Sequence, residues 1–229
     1  MNTILISGAS RGIGLELTRH FLNLDWQVIA TCRNPELALP LQSLSSNPGL
    51  RIMPLEVTSA ESIRHLAQTL QGQPLDVLVN NAGVMGGDQQ GLANMDPTAW
   101  LHTFAVNTIA PFQLSTALLP NLLQAELPRI ITISSQMGAF GLEMGSGSYA
   151  YRSSKSAVSK VMQVMAQELR DQGVVVCPVH PGWVRTDMGG PNAQISPAES
   201  AAGLAALINK LTLAESGRFW TWDGREHVW

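Results

Sequence analysis

The sequence predicts an α/β fold, a parallel sheet covered by helices on both faces. Three observations point to it. Short apolar runs alternate with helix-length segments along the chain. The runs are apolar at successive positions, as in strands buried on both faces. The length of 229 residues, with 45% hydrophobic and 14% charged, suits one large core better than two. One domain over residues 1–229 is therefore expected, with no internal repeat, linker or low-complexity segment.

The elements follow in order. Thr3–Ser7 reads as a strand and Ile13–Leu24 as a helix of 3.6-residue periodicity. Gln27–Thr31 is a second strand, rich in β-branched residues. Glu36–Ser46 is a helix candidate limited by Pro40, which lacks an N–H and clashes in a helix interior. Leu50–Val57 is the third strand, Ala60–Leu70 a helix and Leu75–Val79 the fourth strand. A loop rich in Gly and Asn runs from Asn80 to Met95. Asp96 has the position of an N-cap with Pro97 in the first turn, opening a long helix to about Gln124. Ile130–Ser134 is the fifth strand. Ala150–Asp171 is a long helix whose apolar stripe is Val158, Val161, Met162, Met165 and Leu169. Val174–Val179 is the sixth strand, Pro197–Leu211 a helix and Arg218–Trp222 a seventh strand.

Composition narrows the function classes. Net charge is −3 and the arginines are scattered, so no basic field invites nucleic acid. No apolar run approaches the roughly 20 residues of a membrane span, and no basic, apolar leader is visible. Cys32 and Cys177 stand far apart and fit no metal site or redox pair. Two reduced thiols in a cytoplasmic protein, with no metal required, are expected.

Ser7-Gly8-Ala9-Ser10-Arg11-Gly12-Ile13-Gly14 joins the first strand to the first helix. Glycines without Cβ let the turn tighten and let the backbone approach a ligand. The helix end beyond offers free N–H groups and a positive dipole to a pyrophosphate. This is the position of the dinucleotide turn in a Rossmann-type doubly wound sheet, with G-x-x-x-G-x-G spacing. An NAD site usually carries an acid about 20 residues further on, to hold the ribose 2′-hydroxyl. None stands between Trp26 and Pro35; Arg33 stands there and suits a 2′-phosphate, with Arg11 as a second clamp. NADP(H) is favoured over NAD(H).

Tyr151 stands four residues before Lys155, in a chain whose only tyrosines are Tyr149 and Tyr151 and whose only lysines are Lys155, Lys160 and Lys210. On a helix this spacing puts phenol and ammonium on one face. A nearby cation favours the phenolate, so a lowered phenol pKa and proton transfer near neutral pH are expected. Tyr149, six residues before Lys155, points elsewhere. Asn107 lies four residues before Pro111, whose missing N–H frees the carbonyl of residue 107 for another donor, such as water. A kink is expected there. The tryptophans at 220 and 222 alternate on the last strand and suit packing, and His180 at a strand end reads as structural.

The glycine turn, Asn80-Asn81-Ala82-Gly83, Asn107, Ser135, Tyr151, Lys155 and Pro181-Gly182 occur in the order of the short-chain dehydrogenase/reductase family. The chain resembles that family over nearly its whole length. The stretches ATCRNP, YAYRSSKSA, GWVRTDMGG and SGRFWTWDG are similar to those of its C-factor and Sniffer-like carbonyl reductases. The resemblance implies a seven-stranded sheet and a cofactor site of Gly8, Ser10, Arg11, Gly12, Ile13, Gly14, Arg33, Val57, Asn81, Ala82, Gly83, Tyr151, Lys155, Pro181, Val184 and Thr186. Asn81, Ala82 and Gly83 would line the adenosine ribose, and Val184 and Thr186 the nicotinamide carboxamide. Glu56 stands where the family usually has Asp, so the backbone of Val57 is the expected adenine contact.

The resemblance further implies a catalytic set of Asn107, Ser135, Tyr151 and Lys155, with Ser134 as the alternative serine. Asn107 would hold a water that extends a proton relay to Lys155. The expected reaction is hydride transfer between NADPH and a small-molecule carbonyl compound, or the reverse from an alcohol. The alternative is an NADP-binding, C-factor-like signalling protein without physiological turnover. Loops 84–95, 137–148 and 186–196 would set specificity. Only ten residues separate Thr186 from Pro197, which implies an open site without a helical lid. A homodimer or homotetramer through the two long helices is expected.

Overall fold

A computed structural model describes residues 1–142 and 145–229. Seven strands form one sheet: β1 Thr3–Ser7, β2 Gln27–Cys32, β3 Leu50–Pro54, β4 Val77–Asn80, β5 Arg129–Ile133, β6 Val175–His180 and β7 Trp220–Thr221. All neighbours are parallel, in the order β3-β2-β1-β4-β5-β6-β7. The helices are α1 Gly12–Asn23, α2 Leu39–Gln42, α3 Ala60–Thr69, α4 Pro97–Phe104, α5 Ala110–Leu122, α6 Tyr149–Glu168 and α7 Pro197–Lys210.

Successive strand residues feed opposite layers. Ile4 and Ile6 join a core with Leu17 and Phe21 of α1 and Leu204 and Ile208 of α7. Leu5 joins a second core with Leu66 of α3, Leu114 and Leu118 of α5, and Val158 and Met162 of α6. Both layers are buried and apolar, which explains the continuous apolar strands. The strand order reverses between β1 and β4, so the loops after them part and open a crevice at the carboxyl edge. No helix among the described residues is long and apolar enough to cross a membrane.

Four elements depart from the sequence expectation. The third strand ends at Pro54 rather than Val57. The segment 36–46 holds only a 3-10 turn at Pro35–Leu37 and the four-residue α2, because Pro40 prevents a continuous helix. The helix opened by Asp96, whose carboxylate accepts the Thr98 N–H at 2.8 Å, is interrupted by a π-helical turn at Ala105–Ile109. That turn is the expected distortion around Asn107: ahead of Pro111, the chain widens. The last strand has two residues, since Thr221 donates back to the Arg225 carbonyl at 2.8 Å and the chain reverses at Gly224 (φ +83°).

Candidate active site

The glycine turn leaves β1 and enters α1 at Gly12. Gly8 and Gly12 have φ of +68° and +57°, a region that disfavours side chains. A Cβ on Gly8 would stand 2.8 Å from Ala82 Cα, and one on Gly14 would stand 2.5 Å from both Gly8 O and Asn81 Nδ2. The Asn81 side chain donates to Ser7 O at 2.9 Å and Gly8 O at 3.0 Å. Ser7 Oγ accepts the N–H groups of Asn81 and Ala82 at 3.0 and 3.1 Å. Asn81 therefore staples the turn after β4 to the turn after β1. Ser7 was not singled out from the sequence; a hydroxyl at the strand end was its only signal.

The N-terminus of α1 has no side-chain cap and no acid in its first turn. Its free N–H groups fit a bound pyrophosphate. Ser10, Arg11 and Ile13 lie within this turn. Arg33 is exposed at the end of β2 and has no ion-pair partner among the described residues. Arg11 is instead paired with Asp187 at 2.6 Å, linking the glycine turn to the connection after β6. Glu56 folds onto its own loop, accepting from the N–H and hydroxyl of Thr58 at 3.1 and 2.9 Å. Val57 follows β3 and borders a packing gap, too small for a water, that it shares with Ser7, Ala82 and Val106.

Tyr151 and Lys155 lie one turn apart on α6 and are buried, at 8% and 5% exposure, whereas Tyr149 is 43% exposed. The Tyr151 side chain hydrogen-bonds the Ser135 side chain. Lys155 Nζ donates to the Ile133 carbonyl at 2.7 Å and stands 5.7 Å from the Tyr151 ring centre. Ser135 also accepts the Met137 N–H at 3.1 Å, which fixes its rotamer. Ser134 is turned into the core and bonds Ser159 Oγ at 2.7 Å. The structure thus brings Ser135, not Ser134, to the tyrosine.

Burial dominates both ionisations. It brings the Lys155 ammonium down to about 8. It also raises the Tyr151 phenol, outweighing the opposing bond to Ser135. The lowered phenol expected from the spacing is therefore not found in the free chain: desolvation of the buried ring is the largest influence on it.

Asn107 joins this group through its side chain. Its Oδ1 accepts the Val84 N–H at 2.9 Å, and its Nδ2 donates to Val84 O at 2.8 Å and Ser154 Oγ at 3.0 Å. A Cβ on Gly83 would stand 3.3 Å from Asn107 Oδ1 and 3.7 Å from Lys155 Nζ, so only a hydrogen fits comfortably between them. Gln90 is a positioning residue that sequence reading missed. Its Oε1 accepts the Tyr151 N–H at 3.1 Å, while its Nε2 donates to Met85 O and Gly87 O at 2.9 and 2.8 Å. A polar residue in a Gly-rich loop gives no sign of this, because the contact spans 61 residues.

Pro181 accepts the Ser200 hydroxyl at 2.6 Å, and Val184 pairs with Ile195. Thr186 stands against the glycine turn, 3.2 Å from where a Gly12 Cβ would lie. No helix forms between Gly182 and Ser196, which leaves the site without a helical lid. Of the expected specificity loops, 84–95 and 186–196 border this region, and residues 143 and 144 of loop 137–148 lie outside the described residues. His180 ends β6 with neither ring nitrogen hydrogen-bonded among the described residues, and Trp222 packs over Gly182 and Gly203.

A family model described as short chain dehydrogenase matches residues 2–195. The chain is 38% identical over 167 residues to the C-signal protein of Myxococcus xanthus, an alignment covering 73% of this chain and 100% of that one. It is 34% identical over 235 residues to a 1-hydroxy-2-glutathionyl-2-methyl-3-butene dehydrogenase of Rhodococcus sp. (strain AD45), over 100% of both chains. Among solved structures it is similar to the NADPH-bound carbonyl reductase from chicken fatty liver, with TM-score 0.92, 35% identity and coverage of 100% of this chain and 99% of that one. The carbonyl reductase Sniffer of D. melanogaster superposes with TM-score 0.94 and 32% identity over 100% of both chains.

Proposed function

The chain belongs to the short-chain dehydrogenase family of oxidoreductases, and we propose that it is an NADPH-dependent carbonyl reductase in which Tyr151 supplies the proton. The observation that carries this reading is the buried tyrosine, hydrogen-bonded to Ser135 and flanked by Lys155, at the sheet edge that also carries the glycine turn. The NADPH-bound neighbour from chicken fatty liver and the unpaired Arg33 support the choice of cofactor. When bound, NADPH supplies the hydride.

Ser135 holds the carbonyl oxygen. Tyr151 donates its hydroxyl proton to that oxygen as negative charge develops there. Burial keeps the phenol protonated, the form that reduction requires. Lys155 then stabilises the phenolate from the side. The side-chain amide of Asn107 already bonds Val84 and Ser154, and its main-chain carbonyl, denied a partner at Pro111, is the group that holds the relay water. The short connection after β6 favours open access over tight enclosure of a bulky substrate.

The test is NADPH and NADH oxidation against a panel of aldehydes, ketones and quinones. NADPH should be used roughly 10- to 100-fold better than NADH, from a charge-assisted contact of about 1.5–3 kcal/mol at Arg33. Tyr151→Phe should lower kcat about 10²- to 10⁴-fold while retaining NADPH binding. Normal turnover by that variant would refute the assignment.

A second reading rests on the likeness to C-signal: an NADP-binding regulatory protein without turnover. NADPH binding with no oxidation across the panel would favour it. The exposed Ile109 and Phe112 on the π turn and α5, with Val164 on α6, support pairing of two copies through the long helices. Light scattering reads that state directly.

A further inference from the structure

Three helices close their own N-termini: Ser59, Asp96 and Ser196 cap α3, α4 and α7 with their side chains. α6, which carries Tyr151 and Lys155, does not. The residue before it, Ser148, has φ +53° and makes no side-chain cap bond. The cap comes instead from Gln90, in the loop after β4. Gln90 Oε1 accepts the Tyr151 N–H at 3.1 Å, and its main-chain carbonyl receives the Tyr149 N–H at 3.5 Å. Tyr151 is the third residue of the helix, so its N–H is one that an N-cap side chain ordinarily takes.

The other end of the same amide holds the loop. Its Nε2 donates to Met85 O at 2.9 Å and Gly87 O at 2.8 Å. One donor facing Oε1 and two acceptors facing Nε2 fix the amide in this orientation. Gln90 is 8% exposed, and a Cβ on Gly86 (φ +94°) would stand 2.9 Å from Nε2, so the loop wraps closely round it. Asn107 is arranged alike: it bonds Val84 of the same loop and Ser154 Oγ of the same helix turn. Two side-chain amides thus tie one loop to the turn of α6 on which Tyr151 and Lys155 lie.

We propose that Gln90 couples the substrate loop to the proton donor: its oxygen sets Tyr151 through the main chain, and its nitrogen sets the loop that borders the bound carbonyl compound. The inference rests on the carbonyl reductase reading and divides that site's control between the two ends of one side chain. Loss of the cap moves the phenol relative to Ser135 and falls on kcat, because proton transfer tolerates little displacement. Loss of the loop bonds falls on KM.

The test compares two variants of the whole chain. Gln90→Met removes both ends. Gln90→Glu keeps an acceptor for the Tyr151 N–H, which the helix dipole favours, and loses the two donors. With NADPH and 4-nitrobenzaldehyde, Gln90→Met should lower kcat roughly 10- to 100-fold and leave the NADPH dissociation constant unchanged. Gln90→Glu should recover most of that kcat, with KM raised roughly 3- to 10-fold. Independently of turnover, NMR-detected hydrogen exchange at the Tyr151 N–H should be roughly 3- to 10-fold faster in Gln90→Met and near the parent's rate in Gln90→Glu. Undiminished kcat in Gln90→Met, equal loss of kcat in both variants, or an unmoved Tyr151 N–H overturns the proposal. Should Gln90→Met not fold, Gln90→Glu decides alone: near-parental kcat with raised KM supports the proposal, and a lost kcat overturns it. If no carbonyl of the panel is reduced but the exchange pattern holds, the reductase reading fails while the cap at Tyr151 stands.

Discussion

The N-termini of α1 and α7 lie in the same helical layer, yet they treat their free N–H groups in opposite ways. α7 closes its own end: Ser196 Oγ accepts the Glu199 N–H at 3.2 Å and Glu199 returns the bond to the Ser196 N–H at 2.7 Å. Pro197 fills the first turn, and Arg185 approaches Glu199 at 3.8 Å. α1 has neither cap nor acid. Helix ends prefer to be satisfied, so an end left open marks a place where a ligand supplies the acceptor. The same contrast holds for single groups. The buried Lys155 has no carboxylate partner among the described residues, while the exposed arginines at 185, 218 and 225 all have one.

The comparison breaks hardest at Gly14. Its Cβ would press 2.5 Å against a backbone carbonyl that cannot move aside. Gly14→Ala should cost about 1–3 kcal/mol of stability and weaken NADPH binding at least about tenfold if that strain falls on the turn. Titration calorimetry and thermal unfolding of one preparation measure both. An unchanged dissociation constant would mean that the open helix end is not the cofactor's anchor.

Lys155 sharpens the contrast through pH. Its folded pKa, about 8, lies below the unperturbed 10.5, so the unfolded chain binds more protons between those values. Stability contributed at this site therefore rises with pH across that window, and the full penalty is present below about pH 8. Lys155→Met removes the penalty. It should be about 2 kcal/mol more stable near pH 7, the roughly 3 kcal/mol equivalent of the shift less about 1 for the lost bond to Ile133. The gain should fade toward pH 10.5, while turnover is lost. Unfolding curves at several pH values decide it; a variant less stable than the parent at every pH contradicts the argument.

The smallest effect belongs to the closed end. Ser196→Ala should cost about 1 kcal/mol of stability, as for other N-caps, and leave NADPH affinity unchanged. Denaturant titration with and without cofactor checks both halves.

Much of the candidate site was legible because its signals are local. The glycine turn and the Tyr151–Lys155 spacing are read within a few residues, and the distortion at Asn107 follows from Pro111 alone. Gln90, Ser7 and Asn81 were illegible as staples because each acts on a segment far along the chain. Arg11 adds a contact that no local pattern shows: only the folded chain brings Asp187 across to pair with it at 2.6 Å.

By itself the sequence determined the seven-stranded α/β architecture, the open end of α1 and the order of the chemical groups, since periodicity, glycine and proline act over short distances. The tertiary structure decided which serine meets the tyrosine, how burial sets the two pKa values, and that the His180 ring is buried without a hydrogen-bond partner among the described residues. Each of these depends on desolvation or on contacts between distant segments, which no local pattern of residues encodes.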